Sequence, residues 1–407
     1  MSIKDSILTI LNISARARNR RQKDREYLHY VKEASGWTLE ETKAAMDKAR
    51  AQGISYKYYA KRRLWTRNEQ QMEISRKNAI ASHQKHLEER NHAKEVVMAA
   101  TGWSKAVTEE KMREANQNCG SSAKDYYKFR LYELTPEEQR EYLTLGVSEA
   151  LSFKYNADAE ALRTLRYKGR FAKKYNDLFH RIWFRNINLT YEDFLKYTEN
   201  LDALICKPLA STQGKDIVKL TFSDYPDKKA IYDEIMNMKK VICEECIIQH
   251  PDIAAFNPSS VNTIRVQTLV DNGKCHHLYA GFRMGRGKLV DNFHAGGIIA
   301  SIDVKTGITC MDAIDLEGIH YPVHPVSQLP TLGFQIPYWD KVLEMTESAA
   351  LRLKNVGLVG WDIAITANGP CLVEGNSEAS YMIIQLPYVD SRIGMRKLFS
   401  QFHDEKK

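Results

Sequence analysis

No apolar run in this chain approaches the ~20 residues that a membrane-spanning helix needs, and no segment with a small-residue cleavage site follows Met1. A membrane-spanning or exported protein is therefore not expected, and the expected location is the cytoplasm. Cysteine is sparse. The seven residues, at positions 119, 206, 243, 246, 275, 310 and 371, are scattered and odd in number, which argues against a disulfide framework. Cys243 and Cys246 have CxxC spacing, but the run around them is apolar and no second Cys or His pair stands at zinc spacing, so they read as structural. With 43% hydrophobic and 27% charged residues, 407 residues can bury real cores and split into two or three domains.

The charge is unevenly placed. Residues 1 to 100 hold 21 Lys and Arg against 12 Asp and Glu, which leaves the rest of the chain within one charge of neutral. A basic N-terminal region suits an anionic glycan or the inner membrane face, to which the protein would be peripheral, while a solvated helical face is the simpler reading. Nucleic acid is not the expected partner. Ile3, Ile7, Leu8, Ile10 and Leu11 can share one helical face ahead of Arg16, Arg18, Arg20 and Arg21, and packing of that face on the following domain is preferred to membrane contact.

The N-terminal part repeats itself. Gly36-Trp37, Met46, Ala49 and Gly53 are echoed by Gly102-Trp103, Met112, Ala115 and Gly120. After one inserted residue, Lys57, Tyr59, Lys61, Arg63, Leu64 and Trp65 are echoed by Lys124, Tyr126, Lys128, Arg130, Leu131 and Tyr132. The copies, about 33–70 and 99–138, end near Thr66-Arg67-Asn68-Glu69 and Thr135-Pro136-Glu137-Glu138, which match the capping box. Residues 69 to 100 between them are polar and rich in helix formers, which predicts one long exposed helix. The expectation is an all-helical domain over residues 1–150 with an internal duplication, Trp37 and Trp103 being equivalent and buried.

The most informative stretch lies near the other end. Gly360-Trp361-Asp362-Ile363-Ala364-Ile365-Thr366 and Cys371-Leu372-Val373-Glu374-Gly375-Asn376 flank Ala367-Asn368-Gly369-Pro370, and the Asn-Gly pair supplies the positive φ angles of a hairpin turn. Alternation puts Glu374 and Asn376 on one side, with Asp362 brought opposite from the partner strand. Two carboxylates and an amide suit a hard ion such as Mg²⁺, which keeps waters and takes its other oxygens from phosphates.

Upstream, from about Arg170, the pattern turns strand-rich. Leu204-Ile205-Cys206-Lys207-Pro208 is a strand ending in a lysine, followed by a small-residue loop through Ser211 and Gly214 and a second strand, Ile217-Val218-Lys219-Leu220. Such a loop lets backbone N–H groups close over phosphates. Val241 to Ile248 is an apolar strand interrupted by Glu244 and Glu245, able to present backbone groups to an adenine edge. Arg265 falls on the polar face of Val261 to Thr268, Arg283 follows on the next strand, and Asn292 to Gly297 forms a glycine turn.

This order resembles the ATP-grasp superfamily. The chain is most similar to the sugar-transfer-associated ATP-grasp family of polysaccharide biosynthesis, through Asn176-Asp177-Leu178-Phe179, Cys206-Lys207-Pro208-Leu209, Gln249-His250-Pro251 with Ala255-Phe256-Asn257-Pro258-Ser259, Asn262-Thr263-Ile264-Arg265, and Gly360-Trp361-Asp362 with Glu374-Gly375-Asn376. The resemblance spans roughly residues 165 to 400. It implies an α+β fold in which an ATP-grasp domain, 165–407, follows the helical domain, with a nucleotide-lid half over 165–250 and a metal and substrate half over 251–407. It also implies ATP and one or two Mg²⁺. Lys207 is expected on the phosphates under the loop of Ser211 and Gly214, with Glu244, Glu245, Cys246, Ile247 and His250 around the nucleoside. Arg265 and Arg283 are expected on the transferring phosphoryl group, and Asp362, Glu374 and Asn376 on the metal. Three departures stand out. Asp216 replaces the second loop glycine, Asp177 stands where a further phosphate lysine is expected, leaving Lys173 or Lys174 for that role, and the ribose ligand is open among Asn262, Thr263, His250 and Asp252.

The reaction this implies is ATP-dependent ligation of a carboxylate, a sugar acid or amino acid, to an amine through an acyl phosphate. A non-catalytic scaffold whose basic repeat binds an anionic polymer is the alternative from another class, and phosphoryl transfer to a hydroxyl is a third.

Overall fold

The structure, a computed structural model, describes residues 69–209, 216–287, 293, 296–378 and 380–402, with Glu40, Lys43, Ala44 and Asp47 as isolated helical positions. The chain forms two compact units, Met1–Trp103 and Ser104–Lys407. In the first, the long helix expected from composition is Glu69–Thr101. It stops at Gly102, whose φ of 72° only glycine adopts at little cost.

The two units divide between Trp103 and Ser104. The segment read as a second copy therefore lies in the larger unit, and most of the segment read as the first, with Trp37, lies outside the described residues. Trp103 is half-buried. The second copy is helical, with Lys105–Cys119, Ala123–Lys128 and Pro136–Arg140. The last begins at the anticipated capping box, Thr135 taking the Glu138 N–H and Glu138 taking the Thr135 N–H. Long-range bonds explain the boundary. Buried Asp125 accepts the Tyr381 hydroxyl at 2.6 Å, and the Gln385 side-chain oxygen accepts both the Leu143 and Met395 N–H groups. Gly394 packs so closely that a Cβ there would lie 2.2 Å from the Glu141 carbonyl oxygen.

Beyond this helical part, two antiparallel sheets carry the residues of interest. The smaller contains β1 (Trp183–Arg185), β2 (Ala203–Pro208), β3 (Val218–Thr221) and β4 (Val241–Glu245), ordered β1-β4-β2-β3. Its outer face, with Phe184, Leu204, Cys206, Leu220 and Cys243, packs with Phe194, Ile231 and Ile235 of the helices Tyr191–Tyr197 and Lys228–Asn237. Period-two alternation leaves Lys207 and Glu244 on the other face.

The larger sheet contains β5 (Thr263–Asp271), β6 (Lys274–Met284), β7 (Ile298–Ile302), β8 (Ala313–Ile314), β9 (His320–Tyr321), β10 (Leu358–Thr366) and β11 (Gly369–Asn376), ordered β11-β10-β5-β6-β7-β8-β9. One face, with Ile264, Val266, Phe282, Ala300, Trp361 and Ile363, builds the main core with the helix Trp339–Leu351. Arg265, Arg283 and Asp362 alternate to the opposite face.

Trp361 anchors the core. It is fully buried, meets Tyr175 edge-on with centroids 5.6 Å apart, and donates its indole N–H to the Thr268 hydroxyl at 2.8 Å. Gly375 lies opposite it, and a Cβ there would come within 2.8 Å of the indole. Trp361→Ala is expected to destabilise the unit by about 3–5 kcal/mol, read from the denaturant midpoint. No helix among the described residues is long and apolar enough to cross a membrane.

Candidate active site

The hairpin forms as anticipated, with β10 paired to β11 and Thr366 opposite Gly369. Its turn differs in detail. Ala367 and Asn368 are the turn residues, and of the Asn-Gly pair only Gly369 has a positive φ, 123°. The pairing runs Ile363 with Leu372 but Asp362 with Glu374, so Val373 is an extra residue in a bulge. That bulge is what the site depends on. Leu372 and Glu374 are two apart and would share a face in a regular strand; the extra residue keeps Leu372 in the core and turns Glu374 to the face of Asp362.

Asp362, 2% exposed, is the centre of the cluster. Arg265, directly opposite on β5, binds it with two donors, Nε to Oδ1 at 2.5 Å and Nη2 to Oδ2 at 2.9 Å. Arg283, from β6, adds Nη1 to Oδ2 at 2.8 Å. The Asn376 amide lies 3.4 Å from Asp362 Oδ2 and donates to Glu374 Oε1 at 3.1 Å. Burial alone would raise the Asp362 carboxyl, but the two guanidiniums hold it well below the usual carboxylate range. Glu374 behaves oppositely. Its side chain reaches solvent, yet the surrounding protein displaces enough water, and Asp362 lies close enough, to push its carboxyl up.

The second cluster belongs to the small sheet. Glu244 Oε2 accepts Lys207 Nζ at 2.8 Å and two donors of Arg181, Nε at 3.0 Å and Nη2 at 2.8 Å. Burial raises this carboxyl, and Lys207 and Arg181 outweigh burial to bring it down to about 2. Arg181 had no signal in the sequence beyond being one basic residue among many.

Lys168 was also missed. It begins the helix Lys168–Lys174, is half-buried, and its ammonium is pushed down by burial while feeling the charges of Glu374, Lys207 and Glu244. Its charge thus feels groups of both clusters. Lys173 and Lys174 are exposed on the same helix, and Asp177 is held by Arg352 through bonds of 2.7 and 2.8 Å.

The remaining expected residues fall as follows. Ser211 and Gly214 lie outside the described residues; Asp216 adopts φ of 59°, the left-handed conformation the missing glycine would have supplied. The strand expected over Val241 to Ile248 ends at Glu245, whose N–H goes to the Ile182 carbonyl at 2.8 Å, while Cys246 and Ile247 follow in a loop. His250 Nδ1 accepts the Asp252 N–H at the start of the helix Pro251–Ala254. Asn262 spends its side chain on the Ile253 and Asn257 carbonyls and the Gly285 N–H, which removes it from the ribose candidates. All seven cysteines are free, and Cys243 faces Cys206 rather than Cys246, so its CxxC spacing is structural.

Whether Mg²⁺ fits can be judged from the donors. Among the described residues no group of three or more His, Cys, Asp or Glu gathers into a metal cage. Two carboxylates opposite each other with an amide beside them are instead an incomplete oxygen set, which suits an ion completed by water and phosphate. The residues fit.

The protein thus places a lysine and a carboxylate together on one antiparallel sheet, and paired arginines with an Asp, a Glu and an Asn on another. A family model described as sugar-transfer associated ATP-grasp matches residues 186–399, just over half of the chain. The chain belongs to that family. Among solved structures it is similar to the L-amino acid ligase from Bacillus licheniformis, at 12% identity over 64% of this chain and 55% of that one, with a TM-score of 0.36. The D-alanyl-alanine synthetase A from Vibrio cholerae is similar at 14% identity, 60% and 65% coverage and a TM-score of 0.36. This chain thus spans less than two thirds of either protein's length. No curated protein matches it.

Proposed function

We propose that the protein is an ATP-dependent carboxylate–amine ligase that works through an acyl phosphate, with a sugar acid or amino acid as substrate in cell-surface polysaccharide biosynthesis or modification. The observation that supports this best is the convergence of Arg265 and Arg283 on Asp362, beside Glu374 and Asn376. Phosphoryl transfer asks little covalent chemistry of a protein and much positioning and charge, which is what this arrangement offers. The family's association with sugar transfer supports the polysaccharide context.

In the first half-reaction a carboxylate oxygen of the substrate attacks the γ-phosphorus and the bond to the bridging oxygen breaks, releasing ADP. In the second, the amine nitrogen attacks the acyl carbon, the C–O bond to phosphate breaks, and inorganic phosphate leaves as the nitrogen gives up its proton. Lys207 and Lys168 neutralise the nucleotide phosphates. With the Glu245 N–H committed to Ile182, recognition of the adenine edge falls to the backbone of Cys246 and Ile247. Asp362, Glu374 and Asn376 would hold Mg²⁺, which would supply charge neutralisation to the nucleotide phosphates. Arg265 has five N–H donors, of which Asp362 takes two, so it can grip the transferring group without abandoning its partner.

ATP turnover across a panel of uronic acids and amino acids, with product analysis, tests the reading. An amide product supports it; a phosphorylated alcohol favours the phosphotransferase, and no turnover with any substrate favours the scaffold. Lys168→Met is expected to weaken binding of a non-hydrolysable ATP analogue about tenfold, or roughly 1.4 kcal/mol, in a titration with Mg²⁺ present. Unchanged binding would return the phosphate role to Lys173 or Lys174.

A further inference from the structure

Glu244 is held by more cations than it needs. Its side chain is 5% exposed, and one oxygen, Oε2, takes Lys207 and both donors of Arg181. One monovalent carboxylate faces two full positive charges. Lys207, at 16% exposed, is the more accessible of the two and sits at the end of β2, while Arg181 is 3% exposed.

Arg181 is also tied elsewhere. Its Nη1 donates to the Phe179 carbonyl at 3.0 Å and to the Leu372 carbonyl at 2.8 Å, and its guanidinium lies 3.3 Å from the centre of the Phe179 ring. Leu372 belongs to β11, next to the bulge that aims Glu374. Arg181 is therefore fixed by Phe179 and by the metal strand, whereas Lys207 is held through its flexible stem alone. A planar fork is needed for this, because no ammonium could serve Glu244 and two carbonyls while lying over a ring.

We propose that Arg181 is a positioning residue that keeps Glu244 neutralised when Lys207 is drawn to nucleotide phosphates. This rests on the ATP-binding reading of the site. Without a second cation, moving Lys207 would strand a buried carboxylate, and that cost would be charged against nucleotide binding. With Arg181 in place, Lys207 exchanges Glu244 for phosphate at little cost, and Arg181 keeps Glu244 of β4 tied to Leu372 of β11 throughout.

The test is equilibrium binding of a non-hydrolysable ATP analogue with Mg²⁺ to the full chain and three variants. Arg181→Met should weaken binding at least about tenfold, since Lys207 is then the sole partner of Glu244. Glu244→Gln alone is the reference, and adding it to Arg181→Met should restore affinity to the level of that reference, because a neutral amide no longer holds Lys207. A merely structural Arg181 would give no such rescue, for the lost bonds to Phe179 and Leu372 are not replaced by glutamine. If Arg181→Met does not fold, Arg181→Gln takes its place, with weaker binding and the same rescue expected. Wild-type affinity in a folded Arg181 variant, or failure of Glu244→Gln to rescue, overturns the inference while the function stands. Absence of nucleotide binding by the wild type overturns both.

Discussion

Glu374→Gln is expected to lower ATP turnover by about 100-fold or more, while leaving the folded state at least as stable as before. The rate loss follows from the donor set. Asp362 and Glu374 are the two carboxylates of the site, and even outer partners of a metal site are worth about 10–100-fold when removed. The stability expectation comes from Glu374's surroundings. Its carboxyl is pushed up by lost hydration and by Asp362, so its charge is a burden on the fold. Glutamine removes that charge at nearly constant volume and keeps an oxygen for the Asn376 amide. Thermal unfolding and ADP release, each measured against Mg²⁺ concentration, separate the effects. Wild-type ADP production with unchanged metal dependence would remove Glu374 from the metal site.

What the sequence disclosed about this site followed how local its causes were. The β10–β11 hairpin was legible because alternation and a turn signal are written within seventeen consecutive residues, Gly360 to Asn376. The bulge at Val373 was not, since nothing in Leu372-Val373-Glu374 marks an extra residue; it exists because the core takes Leu372 while Glu374 is paired with Asp362. Arg181 and Lys168 were hidden for a similar reason. Arg181 acquires meaning from Glu244 and Leu372, 63 and 191 positions away, and Lys168 from charges on both sheets. The boundary between the units follows the same contrast of near and far. The likeness read between the two segments groups residues 99–138 with the N-terminal part, whereas the bonds from Asp125 and Leu143 to Tyr381 and Gln385 tie this helical stretch to the rest of the larger unit. Helix caps were readable at Thr135, where cause and effect are three residues apart.

Arg265→Lys is expected to reduce the rate of phosphoryl transfer by roughly 10²–10³-fold, the range seen when one preorganised donor to a developing charge is removed. ATP affinity should change far less. The substitution keeps the charge opposite Asp362 but loses the planar fork whose Nε and Nη2 now fix both carboxylate oxygens. Because Arg283 still holds Oδ2, the buried Asp362 is not left without a cation, and the variant is expected to fold. Losing a group that binds ground and transition states alike would raise KM; losing one that matters as charge moves between oxygens lowers kcat. The reaction class can be read from the same variant. With the correct carboxylate present and the amine withheld, hydroxylamine should trap a hydroxamate from the wild type and much less from Arg265→Lys. Equal hydroxamate yields would place Arg265 outside the chemical step, as a structural partner of Asp362. A phosphorylated alcohol without any trappable acyl species would assign the same arginines and carboxylates to transfer onto a hydroxyl, since the charge they stabilise on the phosphoryl oxygens is common to both reactions.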